Sequence, residues 1–164
     1  MRRLGIIAAL VFALDQATKW LVVWNLDLLN RGEIDVAPPY LVFRMAWNRG
    51  VNFGLFAQDG DAGRWVLIAV ALAISAWVLW WIARTPQGKW AQVAAGLLVG
   101  GALGNVVDRV VYGAVADFLN MSCCGIENPY AFNVADVAIF AGALGLVAFA
   151  TDGGKPRAKR RKTP

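Results

Sequence analysis

Hydrophobic residues along this chain are concentrated in four long runs, which are separated by less hydrophobic stretches of different lengths. The runs cover residues 4–24, 65–83, 90–112 and 133–150, and each is about as long as a helix needs to cross the hydrocarbon core of a bilayer. The second run, WVLIAVALAISAWVLWWIA, contains no charged residue. The pattern predicts an all-α membrane protein in which four transmembrane helices form one integral membrane domain over residues 1–164.

The longest stretch outside these runs, residues 25–64, carries a different pattern. Tyr40–Trp47 is rich in β-branched and aromatic residues with an imperfect alternation, which predicts a strand. Asn48 to Gly50 has turn composition, and Val51–Phe56 then predicts a returning strand. We therefore expect a small β-sheet at the membrane surface, between the first and second helices.

Composition supports a membrane class, and the placement of charge predicts the orientation. Hydrophobic residues make up 59% of the 164 residues, above the 45–50% or so of soluble domains, and the mean hydropathy is +0.52. Basic residues flank the runs at Arg2, Arg3, Arg84 and Lys89 and in the tail 151–164. Because positive charge stays inside, both termini and residues 84–89 are expected to be cytoplasmic, with 25–64 and 113–132 outside.

The basic tail has a second interpretation, because clustered lysines and arginines also bind nucleic acid. Beside four hydrophobic runs, topology and contact with anionic membrane lipids explain these charges better. We therefore expect membrane lipids as partners and no nucleic acid.

The residue types available limit the chemistry. The chain has no histidine, which excludes His-based triads and His metal sites. Cys123 and Cys124 are adjacent and do not form a C-x-x-C pair, so they are expected to be packing residues of a loop. No metal or cofactor is expected.

Two aspartates lie at the ends of apolar segments, where a carboxylate is costly to hold. Asp117 stands in VADFL with no charged neighbour, and Asp136 lies about one helical turn inside the fourth run. A pair of carboxylates facing one another at a membrane surface would be suited to acid–base chemistry.

Further polar residues fall within the runs or next to them. Asn105, Asp108 and Arg109 are spaced i, i+3 and i+4, so they share a helix face, and Asp108 is expected to pair structurally with Arg109. Asp15 and Lys19 have the spacing of a helical ion pair, which could pack helices or support a site. Taken alone, Asn48 is better explained as a turn residue.

Five motifs occur in order along residues 4–150: DQATK at 15–19, NRGVNFGLF at 48–56, GGALGNVVDR at 100–109, VADF at 115–118 and FNVAD at 132–136. Together they resemble the lipoprotein signal peptidase (signal peptidase II) family of bacterial aspartyl membrane peptidases. The resemblance implies that Asp117 and Asp136 are the catalytic pair. It implies support from the other matching positions, which are Asp15, Lys19, Asn48, Gly50, Asn105, Asp108, Arg109 and Asn133. Asn52 departs from the small residue more usual in the family.

The resemblance also implies the substrate and the location. The family removes signal peptides from bacterial prolipoproteins by cutting before a diacylglyceryl-modified cysteine. The placement of the basic residues predicts that both aspartates lie at the outer face of the inner membrane. The residues agree with this mechanism, because two close carboxylates share one proton and can act as acid and base. The alternative is a small proton- or ion-coupled carrier that uses its intramembrane carboxylates as a relay.

Overall fold

The computed structural model describes residues 1–50, 62–85 and 87–150. The elements in chain order are α1 (Arg2–Lys19), a π-helical segment that continues it (Trp20–Asn25), α2 (Leu28–Arg31), β1 (Glu33–Ala37), β2 (Leu41–Asn48), α3 (Ala62–Arg84), α4 (Lys89–Tyr112), β3 (Val115–Asn120) and α5 (Val134–Phe149). All four predicted runs form helices with bounds within three residues of those expected.

Three of the described helices are long and apolar enough to cross a membrane: Arg2–Asn25, Ala62–Arg84 and Lys89–Tyr112. Helix α5 is also apolar but has 16 residues. Because an α-helix rises 1.5 Å per residue, α5 alone is somewhat shorter than a typical hydrocarbon core.

Helices α1 and α4 run parallel and approach closely along a seam of glycines. A Cβ placed on Gly96 would lie 2.9 Å from the carbonyl oxygen of Leu4, and one on Gly104 would lie 2.5 Å from Asp15 Oδ2. Small residues at these positions let the two backbones pack directly against each other. This seam brings the polar end of α1 beside the polar end of α4.

Helix α5 packs antiparallel against another face of α4. A Cβ on Gly101 would lie 2.5 Å from the carbonyl oxygen of Ala135, and one on Gly142 would lie 2.5 Å from the amide nitrogen of Leu98. The start of α5 therefore meets the second half of α4, near the residues that precede Asn105. Helix α4 is the central helix, because it also contacts α3.

Within the described residues, the sheet has three antiparallel strands in the order β1-β2-β3. The predicted strand 40–47 is confirmed as β2. The predicted returning strand Val51–Phe56 lies outside the described residues. Strand β3 comes from the stretch 113–132, where no strand was predicted, so the expectation that the sheet lies between the first two helices is incomplete. Pairing between β2 and β3 depends on distant segments, and no local pattern reports it.

A small apolar core holds β3 against the end of α1. Phe118 is 1% exposed and packs with Val23 and Leu28, and its ring meets Phe43 edge to face at 5.9 Å between centroids. Burying a side chain of this size contributes about 1.5–3 kcal/mol. Because side chains alternate along a strand, Asp117, the residue before Phe118, points to the opposite face of the sheet.

The chain returns from β3 to α5 through a loop fixed by polar contacts. Asn120 Nδ2 donates to the carbonyl oxygens of Asn128 (2.7 Å) and Tyr130 (2.9 Å). Phe132 and Leu119 then exchange backbone hydrogen bonds of 2.8 and 3.0 Å, which places the first turn of α5 beside β3. Cys123 and Cys124 lie in this loop as free, exposed thiols, so the expectation that they are packing residues is wrong.

Candidate active site

Asp117 is held in the middle of β3 by its neighbours on β2. It pairs in register with Ala46, and Asn48 lies two residues further along β2 on the same face. Asn48 Nδ2 donates to Asp117 Oδ2 at 3.1 Å, while Asn48 Oδ1 accepts from the Gly50 amide at 3.3 Å. The turn geometry therefore orients the Asn48 amide towards the aspartate, so the turn role and the site contact coexist.

Asp136 lies in the first turn of α5 as part of a capping box. Asn133 is the N-cap, and its Oδ1 accepts from the Asp136 amide at 2.9 Å. In return Asp136 Oδ2 accepts from the Asn133 amide at 3.2 Å. The helix N-terminus favours a carboxylate at this position, because its free amides carry partial positive charge.

Asn133 also connects the two aspartates. Its Nδ2 donates to Asp117 Oδ1 at 2.6 Å, so a single fully buried residue contacts both carboxyl-bearing residues. Asp117 is 3% exposed, whereas Asp136 is half-buried. The structure thus brings together the two aspartates singled out in the sequence, one enclosed and one accessible.

Two residues of α4 face Asp136. Asn105 Nδ2 donates to Asp136 Oδ1 at 2.8 Å, and Asn105 Oδ1 accepts from Asn133 Nδ2 at 3.3 Å. Arg109 donates to the carbonyl oxygen of Asn105 at 3.4 Å, and its guanidinium lies within electrostatic reach of both aspartates. Asn105 and Arg109 therefore both lie near Asp136.

Asp15, Lys19 and Asp108 form a buried ion cluster behind the pair. Lys19 Nζ lies 2.8 Å from Asp15 Oδ2 and 2.7 Å from Asp108 Oδ2, and it donates to Asn105 Oδ1 at 3.3 Å. The expected pairing of Asp108 with Arg109 is wrong, since Asp108 makes its ion pair with Lys19. Adjacent residues on a helix point about 100° apart and do not face each other.

Gln16 belongs to this cluster, although the sequence did not single it out. Its Nε2 donates to Asp15 Oδ2 and Asp108 Oδ1, both at 3.1 Å. The available signal was a polar side chain next to Asp15 inside an apolar run. A second local signal indicated the start of α5. Asn133 is followed three positions later by the acidic Asp136, and this spacing of an N-cap residue and an acidic residue is the pattern of a capping box.

The environment of Asp117 changes its acidity. Burial raises its pKa, the nearby Asp136 charge raises it further, and the hydrogen bonds from Asn48 and Asn133 lower it in part. The result is a pKa raised from 3.8 to about 7. With this pKa the carboxyl group carries its proton below about pH 7 and can give it up near neutral pH, as a general acid requires.

The fold and site together define a class of protein. Apolar helices long enough to cross a membrane carry, at one end, two neighbouring carboxyl groups bridged by an asparagine. One of the two is buried with a raised pKa. Paired carboxyl groups of this kind are the arrangement with which aspartyl hydrolases activate water.

Comparison with known proteins identifies the family. The family model described as Signal peptidase (SPase) II matches residues 7–151. The lipoprotein signal peptidase of Methylorubrum extorquens (strain PA1) is 47% identical over 146 residues, which are 88% of this chain and 84% of that protein. The lipoprotein signal peptidase of Methylobacterium radiotolerans is 44% identical over 159 residues, which are 95% of this chain and 91% of that protein.

A solved structure agrees. A bacterial membrane enzyme determined by the in meso method at 2.3 Å resolution superposes with a TM-score of 0.73 at 26% identity, covering 97% of this chain and 93% of its own. The chain belongs to the signal peptidase II family, which is a family of aspartyl proteases. The resemblance noted from the five motifs is confirmed, and nothing in these comparisons favours a carrier.

Proposed function

We propose that this chain removes signal peptides from prolipoproteins with Asp117 and Asp136 as its catalytic pair, cutting before a diacylglyceryl-modified cysteine. The observation that supports this assignment is that Asn133 contacts both aspartates. Its side chain donates to the Asp117 carboxyl group and accepts from the Asp136 backbone amide, and its backbone amide donates to the Asp136 carboxylate. Relatives at 44–47% identity carry the name lipoprotein signal peptidase, which fits such a site.

The chemistry follows from the different environments of the two carboxyl groups. Asp136, the accessible member, takes a proton from water, and the water oxygen bonds to the carbonyl carbon of the scissile peptide. Asp117, with its raised pKa, gives its proton to the carbonyl oxygen. The resulting gem-diol returns one proton to Asp117 as the C–N bond breaks, and Asp136 protonates the leaving amine.

The asparagines and the arginine orient and balance this pair. Asn48 and Asn133 each donate to one oxygen of Asp117, and Asn105 donates to Asp136. Because these donors fix both carboxyl planes before substrate arrives, little reorganisation is needed during reaction. Arg109 supplies a positive charge near both aspartates, which offsets the negative charge of the shared-proton pair.

The location of the pair suits a lipid-anchored substrate. Helices α1 and α4 are parallel and α5 is antiparallel to them, so the aspartates lie at the end of the bundle opposite Arg2, Arg84 and Lys89. A cysteine carrying two acyl chains holds its peptide bond near the headgroups. We propose one integral membrane domain with four spans, α5 being the fourth, both termini cytoplasmic, and the active site at the outer face of the inner membrane.

Cleavage by purified variants tests the catalytic assignment. The full-length protein is incubated with a lipidated prolipoprotein, and product is measured for wild type, Asp117→Asn and Asp136→Asn. Both variants are expected to lose cleavage, because an amide neither ionises nor shares a proton. Asp35→Asn on the exposed strand β1 is the matched control and is expected to retain full activity. Near-normal cleavage by either Asp117→Asn or Asp136→Asn would exclude the two-aspartate mechanism.

Labelling of single cysteines tests the orientation. In a background with Cys123 and Cys124 replaced, a cysteine at residue 87 or 158 is expected to react with a membrane-impermeant thiol reagent only after the cells are opened. Reaction at either position in intact spheroplasts would reverse the proposed topology.

A further inference from the structure

The buried ion cluster contacts the backbone beside each proposed catalytic aspartate. Asp108 Oδ2 accepts a hydrogen bond of 3.2 Å from the amide of Ala116, the residue before Asp117. Asp15 Oδ1 accepts one of 3.0 Å from the amide of Ala135, the residue before Asp136. For each aspartate, the backbone amide of the preceding residue is thus bound by a carboxylate, and the two carboxylates come from different helices.

Lys19 joins these two carboxylates. Its ammonium group has three protons and three acceptors, namely Asp15 Oδ2, Asp108 Oδ2 and Asn105 Oδ1. Asp15 is 0% exposed, Lys19 5% and Asp108 1%. No proton of the ammonium group is left over for a substrate, so its contacts are internal to the protein.

Fold stability alone is a weak reason for such a cluster. Removing charges from water is costly, and well-packed apolar residues often stabilise a buried position as well as an ion triad does. Geometry is the better reason, since an ammonium between two carboxylates fixes their separation, and each carboxylate fixes one peptide group.

We infer that Asp15, Lys19 and Asp108 form a clamp that sets the separation of Asp117 and Asp136, with Lys19 as a positioning residue for the reaction. The inference rests on the proposed function of the two aspartates. The clamp links α1 to β3 through Asp108 on α4, and α1 to α5 directly through Asp15.

Lys19 also acts on the pair through its charge. Among the residues that the structure describes, the charged groups that act on Asp117 are Asp136 of α5, Arg109 of α4 and Lys19 of α1, while β2 presents the neutral Asn48. The positive charge of Lys19 lowers the pKa of Asp117 and so opposes the effect of burial. Loss of that charge raises the pKa, which gives a readout that a purely structural residue would not produce.

Steady-state kinetics of full-length Lys19→Met over a range of pH provide the test. We expect kcat to fall about 100-fold, the scale expected for a small misplacement of catalytic groups. KM for the lipidated prolipoprotein should change little, and the pH profile of kcat should move to higher pH. Lys19→Arg keeps the charge, so its pH profile should stay at the wild-type position with partial recovery of kcat.

The matched control removes a cation from a different ion pair. Arg44 Nε lies 2.8 Å from Glu33 Oε2 on the exposed face of the sheet, with both side chains nearly half exposed. Arg44→Met should therefore keep the wild-type kcat and pH profile. The inference is overturned if Lys19→Met keeps a kcat within a few-fold of wild type, or if its kcat falls with an unmoved pH profile.

A neutral triple variant covers the case in which Lys19→Met does not fold. Asp15→Asn, Lys19→Met and Asp108→Asn together leave an amide oxygen for each backbone amide and no unpaired buried charge. If the clamp positions the pair, this variant folds but keeps a low kcat. A folded triple variant with wild-type kcat would show that the charges serve folding only, and would overturn the inference.

Hydrogen exchange separates this inference from the proposed function. The amides of Ala116 and Ala135 should exchange faster in folded Lys19→Met than in wild type, and at the wild-type rate in Arg44→Met. If wild type itself does not cleave prolipoprotein, the proposed function fails while exchange still decides the clamp. If wild type cleaves and exchange at both amides is unchanged in Lys19→Met, the clamp alone fails.

Discussion

Replacing Asp117 with asparagine should stabilise the folded protein above pH 7 while abolishing its activity. The pKa of Asp117 is raised from 3.8 to about 7, first by burial and then by the Asp136 charge. Between these two values the folded state holds a proton that the unfolded chain has lost. Stability therefore falls as pH rises from about 4 to about 7 and stays reduced above that range, and an amide removes this loss.

The size of the effect can be worked out from the site. The difference between 3.8 and about 7, at about 1.4 kcal/mol per pH unit, is about 4 kcal/mol. Asp117 accepts from two donors, Asn133 Nδ2 at 2.6 Å and Asn48 Nδ2 at 3.1 Å, and an asparagine offers only one acceptor oxygen. The lost hydrogen bond costs about 1–2 kcal/mol. The net gain at pH 8 is then about 2–3 kcal/mol.

Unfolding of wild type and Asp117→Asn in detergent, at pH 5 and at pH 8, measures this gain. At pH 5 Asp117 of the folded wild type is already protonated, so the advantage of the amide falls to about 2 kcal/mol before the lost hydrogen bond and to about zero after it. Asp35→Asn, on exposed β1, should show no gain at either pH. A stability difference between wild type and Asp117→Asn that is the same at pH 5 and pH 8 would refute the reasoning.

Three further predictions concern packing, the β2 turn and the substrate. Gly104→Ala should lower both stability and kcat, because its Cβ would lie 2.5 Å from Asp15 Oδ2; thermal unfolding and cleavage of the purified variant check this, and unchanged values would mean that α1 shifts freely. Asn48→Ala should reduce cleavage far more than Asn52→Ala, since Asn48 donates to Asp117; Asn52 lies outside the described residues, and equal losses would place it in the site. A peptide with an unmodified cysteine should be cut poorly, because the acyl chains position the bond; equal turnover of lipidated and unlipidated peptides would contradict this.

Local patterns predicted the parts of the fold that depend on local physics. Continuous apolar runs predicted the four helices, because burial in lipid or protein requires apolar side chains along the whole length. The predicted strand 40–47 corresponds to β2, displaced by one residue. It was predictable because β-branched and aromatic residues favour a half-buried strand whichever strand it pairs with. The polar residues singled out in the described ranges also lie together, since few polar groups can be buried in such a chain without meeting one another.

The contacts between those residues could not be predicted in the same way. Asn48 and Asp117 are 69 residues apart, and they meet only because β3 pairs with β2. Lys19 and Asp108 meet only because α1 and α4 run parallel in one register. Spacing along a helix suggested Arg109 as the partner of Asp108, but a charge on another helix at 2.7 Å is the actual partner. Each of these contacts depends on how two distant segments align, and such an alignment leaves no periodic pattern in the local sequence.

The glycines of α4 connect this register to function. In lipid there is no hydrophobic driving force between helices, so close packing of small residues has to hold them together. Gly104 makes room for the Asp15 carboxylate, and Gly101 lets the first turn of α5 approach α4. Asp15 on α1 can then accept from the Ala135 amide on α5, one residue before Asp136. A larger residue at either glycine would separate the helices that carry the two halves of the site, so glycines with no chemistry of their own determine where the carboxyl groups meet.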